Sequence, residues 1–253
     1  YFRSKGLEIS GYLSRSRKSA ISAAELTSSK AFTALSDLAA ASDIIIVSTP
    51  DGAIAEVWEE LRKCDIRDRI VCHLSGSLSS DIFDGIAAKS SFGYSVHPMF
   101  AFSGKDGYFE GVEKACFTLE GAKEKLGEVR EIFMHTGNRI FVIDKSKKAL
   151  YHASNVMVSN LVTALLSIGT ESFEKCGVKK EEAIEALLPL IRGNIENIAK
   201  KGFPGSLTGP VERNDTDTIM KHLDVMEEDE RLIYSLLTKK LAKLSKVKHP
   251  GRD

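Results

Sequence analysis

Lys148, His152, Asn155 and Ser159 occupy positions i, i+4, i+7 and i+11 of one apolar stretch. At about 100° per residue, a helix gathers all four within an arc of about 60°. Val, Leu, Met and Ala dominate the rest of the stretch, which favours a polar stripe lining a cleft over one facing solvent. Hydride reduction of a carbonyl leaves an alkoxide that needs a proton, and His152 or Lys148 is a suitable positioned acid. Asn160 lies to the side, where it can orient a polar group of a substrate, while Asn155 and Ser159 extend the same surface. The competing reading makes His152 and Asn160 polar residues satisfied inside a core.

Two further groups could touch a substrate. His97 opens His97-Pro98-Met99-Phe100 and places an imidazole after a short apolar run; a histidine before proline can equally pin a loop. Between two helical patterns, Leu207-Thr208-Gly209-Pro210-Val211-Glu212-Arg213-Asn214-Asp215 is dense in turn and polar residues. Thr208 and Arg213 suit a carboxylate if they face a cleft, and Asp215 alternatively caps the helix that follows.

The elements that must carry these residues fall into two halves. From Leu7 to Asp144 short apolar runs alternate with amphipathic stretches, the βαβ rhythm of a parallel sheet. Strands are expected at Leu7–Leu13, Asp43–Val47, Ile70–Leu74, Gly93–Val96, Cys116–Leu119 and Arg139–Ile143, and helices at Ser19–Thr27, Ala53–Cys64 and Lys123–His135. Ile44-Ile45-Ile46-Val47 is the clearest strand, because a strand covered on both faces is continuously apolar. Trp58 reads as packing. After Asp144 only helices are expected: Lys145–Cys176, Lys180–Lys200, Asp215–Leu223 and Glu227–Leu244, then a frayed tail at Lys246–Gly251. The reading is an α/β domain over 1–144 followed by an all-helical domain over 145–253.

In a doubly wound sheet, ligands bind beyond the carboxyl ends of the strands. Those ends share a character here: Ser14-Arg15-Ser16, Ser48-Thr49-Pro50, Ser75-Gly76-Ser77 and His97-Pro98-Met99. Small hydroxyl residues and glycine let backbone N–H groups approach a phosphate or a ribose. The first turn lacks the carboxylate that an NAD site directs at the ribose 2′-hydroxyl, while hydroxyls and a guanidinium suit the 2′-phosphate of NADP. Arg17 and Lys18 add to the same positive patch. No GxGxxG occurs in the 253 residues; its expected place is just upstream of Tyr1, with Tyr1–Lys5 as the tail of a first helix.

Composition narrows the partners. Lys+Arg and Asp+Glu are equal at 35 each, so no net field recommends nucleic acid or an anionic membrane, and a small molecule is expected. Cys64, Cys72, Cys116 and Cys176 form no CxxC or Cys/His cluster, which argues against a metal site and a disulfide framework. No run of 18 or more apolar residues occurs and no signal pattern opens the chain. A cytoplasmic protein with reduced thiols is expected.

The chain resembles the Rossmann-like proteins with a DUF2520 C-terminal domain, within the 6-phosphogluconate dehydrogenase-like superfamily. The resemblance runs through Tyr151-His152-Ala153-Ser154 to Ser159-Asn160, Leu187-Leu188-Pro189-Leu190, and Leu207-Thr208-Gly209-Pro210-Val211 with Arg213 and Asp215. Ser75-Gly76 and His97-Pro98 match as well. It implies a Rossmann-type sheet with its first strand and glycine loop outside these residues, a helical substrate and dimerisation domain, and a homodimeric NADP-binding reductase. Some relatives are alternative ketopantoate reductases. The leading reading is hydride transfer from NADPH to a small 2-oxo acid such as ketopantoate. Its rivals are an imine reductase, a prephenate dehydrogenase-like enzyme, suggested also by Met99-Phe100-Ala101-Phe102, and a non-catalytic NADP-binding regulator.

Overall fold

The computed structural model describes residues 1–102 and 111–251 and divides into two compact units, Tyr1–Ser159 and Asn160–Asp253. In the first unit, β3 (Ile44–Val47), β4 (Ile70–His73), β5 (Phe92–Met99), β6 (Cys116–Gly121) and β7 (Arg139–Val142) form one sheet in that order. A separate two-stranded sheet pairs β1 (Gly11–Tyr12) with β2 (Lys30–Ala31) in parallel. The fold class is α/β, as expected from the alternation of strands and helices.

The details depart from the expected rhythm in three places. β5 and β6 are antiparallel, with His97 opposite Thr118, while the other pairs in the large sheet are parallel. An apolar strand covered on both faces looks the same in either direction, so the pattern could not reveal the reversal. β1 occupies only two residues of the expected Leu7–Leu13, and its partner β2 is exposed and carries no apolar signature. β5 extends through His97 and Pro98 to Met99 because β6 pairs with it along that length.

Packing on the sheet follows the period of two. Ile45 and Val47 join Ile54, Trp58, Leu61 and Phe83 in one core, whereas Ile44 and Ile46 pack against Tyr94, Phe117, Val129 and Phe133 in the other. Ile54, Trp58 and Leu61 come from α3 (Asp51–Leu61) at i, i+4 and i+7, and Val129 and Phe133 come from α4 (Leu126–Met134) at i and i+4. Trp58 is 2% exposed and donates its indole N–H to the Asp84 carbonyl, so its role is packing. Besides α3 and α4, the unit holds α1 (Arg17–Thr27), the short α2 (Leu35–Ala40), and α5 (Lys148–Val158).

The helix expected over Lys145–Cys176 is interrupted. A 3-10 turn covers Lys145–Lys147, α5 ends at Val158, and the backbone at Ser159 (φ −123°, ψ −85°) leaves helical space before α6 (Asn160–Lys175) begins. Ser159 donates its hydroxyl to the Asn155 carbonyl at 2.7 Å, the back-bonding that bends helices at serine. The stretch Lys145–Lys175 has the length and apolarity of a membrane span, but Lys148 near its start is buried against the sheet.

The second unit consists of α6, α7 (Lys180–Ser206), α8 (Pro210–Arg213), α9 (Thr216–Asp224) and α10 (Glu228–Lys248). α7 turns at Gly202 (φ 69°, ψ 175°), a conformation that favours glycine. Asp215 caps α9 by accepting from the Thr218 backbone N–H at 3.1 Å and its hydroxyl at 2.8 Å. The helix expected to end at Leu244 runs further and takes in the start of the expected tail at Lys246–Gly251: α10 continues to Lys248, whose ammonium binds the Leu207 carbonyl at 2.9 Å and Glu212 at 3.2 Å.

Candidate active site

The parallel strands β3, β4 and β5 bring their carboxyl ends to one edge of the sheet, where the turn after β4 is tied down from two sides. Asp51, the first residue of α3, accepts hydrogen bonds from the Ser75 and Ser77 hydroxyls, both at 2.7 Å. Burial opposes the charge on Asp51, but the Ser77 and Ser75 hydroxyls, joined by the nearby His73 and His152, together outweigh it and hold its carboxyl below the usual value. Ser75 Oγ also accepts from the Ser77 and Leu78 backbone N–H groups, at 3.1 and 3.0 Å.

From inside the sheet, His73 holds the same turn. Its Nδ1 accepts from the Ser75 N–H at 3.2 Å, so the ring proton belongs on Nε2, which faces the Ser79 carbonyl at 3.2 Å. Burial pushes the His73 pKa down to about 4, and the ring is therefore neutral near pH 7. Fixing the turn fixes Gly76. A methyl group on Gly76 would stand 2.8 Å from His97 Nε2 and 3.0 Å from His152 Nδ1, so only glycine admits both imidazoles at this spacing.

His97 reaches this point from β5, and His152 reaches it from α5. The Tyr151 hydroxyl lies 2.6 Å from His97 Nδ1. Burial, followed by the charge on Lys148, pushes the His97 pKa down to about 4. Among the described residues, His152 Nδ1 is buried without a hydrogen-bond partner, a costly state unless a ligand or water completes it. One turn before His152, Lys148 is 3% exposed and donates to Ser95 Oγ at 2.6 Å. Its ammonium also sits 5.4 Å from the centre of the Tyr151 ring. Burial lowers the Lys148 pKa against the opposing influence of Glu120 and Asp51. Glu120 is itself committed, accepting from the Ser80 N–H and hydroxyl, each at 2.8 Å.

The structure thus brings together Ser75, Gly76, His97, Lys148 and His152 from among the residues expected at a site. Asn155 instead donates to the Tyr151 carbonyl at 3.0 Å, and Ser159 to that of Asn155 at 2.7 Å, bonds that run along the helix itself. Ser14, Arg15 and Ser16 form an exposed turn after β1, in which Ser16 caps α1 by accepting from the Ser19 N–H at 3.3 Å. Ser48, Thr49 and Pro50 are exposed after β3. Asn160, Thr208 and Arg213 belong to the second unit. There Asn160 opens α6, Thr208 joins α7 to α8, and Arg213 ends α8 with its guanidinium 4.0 Å from Asp215.

Asp51, His73 and Tyr151 were not among the expected site residues. A signal existed for Asp51, which follows Ser48-Thr49-Pro50 directly, and for His73, a polar residue inside an apolar strand run. Tyr151 stands in the stretch that carries the family resemblance, but as an aromatic residue on an apolar helix it reads as packing rather than as a site residue.

Residues 115–241 match the domain of unknown function DUF2520, and residues 5–98 match the Rossmann-like domain. None of the curated proteins matches the chain. Among solved structures, a Thermotoga maritima protein is 28% identical with a TM-score of 0.81, over 98% of this chain and 94% of that one. A Bacteroides fragilis protein described as a candidate NADP oxidoreductase is 21% identical, with a TM-score of 0.71 over 95% and 91% of the two chains. Plasmodium falciparum pyrroline carboxylate reductase, solved with NADP bound, is 14% identical, with a TM-score of 0.62 over 98% and 91%. At these last two identities the likeness is one of fold.

Proposed function

The chain belongs to the DUF2520 family, and we propose that it is an NADPH-dependent reductase of a small 2-oxo acid, with ketopantoate the first substrate to test. The observation that carries this reading is the pair Lys148 and His152, one helical turn apart, reaching the edge of the sheet beside the Gly76 turn. Lys148 is a buried ammonium with a hydroxyl rather than a carboxylate as its hydrogen-bond partner.

The residues fit the cofactor. No carboxylate follows β1, and the exposed Ser14, Arg15 and Ser16 suit a 2′-phosphate. Ser48, Thr49 and Pro50 leave the end of β3 open, and Gly76 presents bare backbone where any side chain would collide with two imidazoles. When bound, NADPH supplies the hydride.

The protein's own residues handle the oxygen and the proton. Lys148 and His97 present donors to a carbonyl or carboxylate oxygen, and the Lys148 ammonium favours the negative charge that grows there during reduction. Lys148 or His152 then gives up the proton that the alkoxide requires. A protonated imine would bring a second cation to Lys148, which weighs against that substrate class. In the second unit, Leu161, Leu190, Ile195, Phe203, Leu232 and Leu236 are each more than half exposed, and this exposed apolar surface supports pairing of two copies through the helical unit; a monomer in solution by light scattering would refute that pairing.

The test is loss of NADPH absorbance with a panel of 2-oxo acids, pyrroline carboxylate and prephenate with NADP. Turnover of an oxo acid supports the proposal. Turnover of the pyrroline alone would reassign the enzyme to imines, and NADPH binding without any turnover would make it a regulator.

A further inference from the structure

We propose that Tyr151 is a positioning residue, which fixes His97 in the Nε2–H form and so makes it a hydrogen-bond donor at the Gly76 turn. The part played by that donor in reduction rests on the function proposed above; the assignment of the proton does not.

The argument begins with the contact between the Tyr151 hydroxyl and His97 Nδ1, which is short at 2.6 Å. Two arrangements of the protons could produce it. In one, the phenol donates to a bare Nδ1; in the other, Nδ1–H donates to the phenol oxygen. A neutral imidazole nitrogen is a far stronger base than a phenol oxygen, and a phenol is a better donor than an imidazole N–H. The first arrangement therefore wins, provided that the imidazole is neutral and the phenol keeps its proton. Both conditions are met: burial disfavours the cation of His97 and the anion of Tyr151 alike.

With Nδ1 occupied as an acceptor, the remaining ring proton belongs to Nε2. That nitrogen is the atom that a side chain on Gly76 would strike first. The ring is held in this pose at a second level, because the two aromatic rings meet edge to face at 79°, with centroids 5.8 Å apart. The charged and titratable groups that act on His97 from neighbouring elements are Lys148 and His152 of α5, Asp51 of α3 and His73 of β4. None of them supplies the hydrogen bond that selects the tautomer. A histidine free to exchange tautomers would offer the carbonyl oxygen a lone pair for part of the time, which repels it. Tyr151 removes that state.

The test uses the full chain with 15N-labelled histidine, comparing wild type with Tyr151→Phe, and His97→Gln to assign the signal. Two-bond 1H–15N spectra near neutral pH distinguish the tautomers directly. The wild-type His97 signal is expected to show Nε2 protonated, and Tyr151→Phe to move it to a mixture of both forms while the amide spectrum stays folded. A protonated Nδ1 in the wild type overturns the proposal, as does a His97 pattern unchanged in a folded Tyr151→Phe; the wild-type result decides even if the variant fails to fold. With an oxo acid that the wild type reduces, kcat should fall about tenfold in Tyr151→Phe with KM for NADPH unchanged. If the tautomer moves as expected but no substrate is reduced by the wild type, the assignment of the proton holds and the proposed reductase function fails.

Discussion

Lys148 Nζ donates to Ser95 Oγ at 2.6 Å, and Ser95 in turn donates to the Ser75 carbonyl at 3.3 Å. A charge at the head of α5 is thereby linked through the central strand to the turn that carries Gly76. Replacing Lys148 with Met should lower kcat by about 10²-fold or more, the range for a lost positioned acid. Folding should change in the opposite direction. Because burial depresses the Lys148 pKa, the unfolded chain holds this proton more tightly, and the charged lysine weakens the native state at neutral pH. Lys148→Met should therefore melt no lower than wild type. Full activity in this variant would remove Lys148 from the mechanism.

His73 and His97 give the native state an acid weakness. Each has a pKa near 4 in the fold against an ordinary value of 6.5, so the unfolded chain binds more protons between those limits. Stability from this source is complete above pH 6.5 and is lost as pH falls toward 4, at up to about 1.4 kcal/mol per pH unit for each fully coupled group. Urea unfolding at a series of pH values should show the decline. His73→Asn, which keeps an acceptor near Nδ1, should flatten it; an unchanged slope would mean that His73 is not the buried neutral group described here.

What could be read in advance was the set of residues whose position follows from period alone. Lys148 and His152 share a helix face by spacing, and Ser75-Gly76 lies at a strand end by pattern. Asn155 and Ser159 have the same spacing, yet their side chains turn to carbonyls four residues back; periodicity specifies a face and is silent about which acceptor a short polar group chooses. Asp51, His73 and Tyr151 act through contacts made across 24, 2 and 54 residues, respectively. Even the local His73 contact depends on the turn being closed, which no residue type announces. The reversal of β6 was hidden for a related reason, since direction is decided by the path of the chain between strands.

Gly76 is the most demanding backbone position in the site. Alanine there would put its methyl 2.8 Å from His97 Nε2 and 3.0 Å from His152 Nδ1, below normal contact, so one or both rings must move. The strain should cost about 1–3 kcal/mol, visible as a lower melting temperature. Turnover should fall by about 10²-fold, because a displacement of about 1 Å in a reacting group is enough for that loss. Retained turnover in Gly76→Ala would show that the two imidazoles do not need their present spacing.

Arg15 tests the choice of cofactor independently of the chemistry. It lies between Ser14 and Ser16 after β1, exposed and without a neighbouring carboxylate in the turn. A charge-assisted hydrogen bond to a 2′-phosphate is worth about 1.5–3 kcal/mol. Arg15→Ala should therefore weaken NADPH binding by about tenfold to a hundredfold while leaving NADH nearly unchanged, since NADH has no phosphate to lose. Ser16 is the less clean probe: its hydroxyl caps α1, and removing it would also cost about 1 kcal/mol of stability. Titration of both nucleotides against wild type and Arg15→Ala, followed by the quench of Trp58 or by calorimetry, separates the cases. Equal losses for the two nucleotides would mean that Arg15 touches the adenine or the backbone of the cofactor rather than its 2′-phosphate, and the preference for NADP would then have to be sought at Arg17 or Lys18.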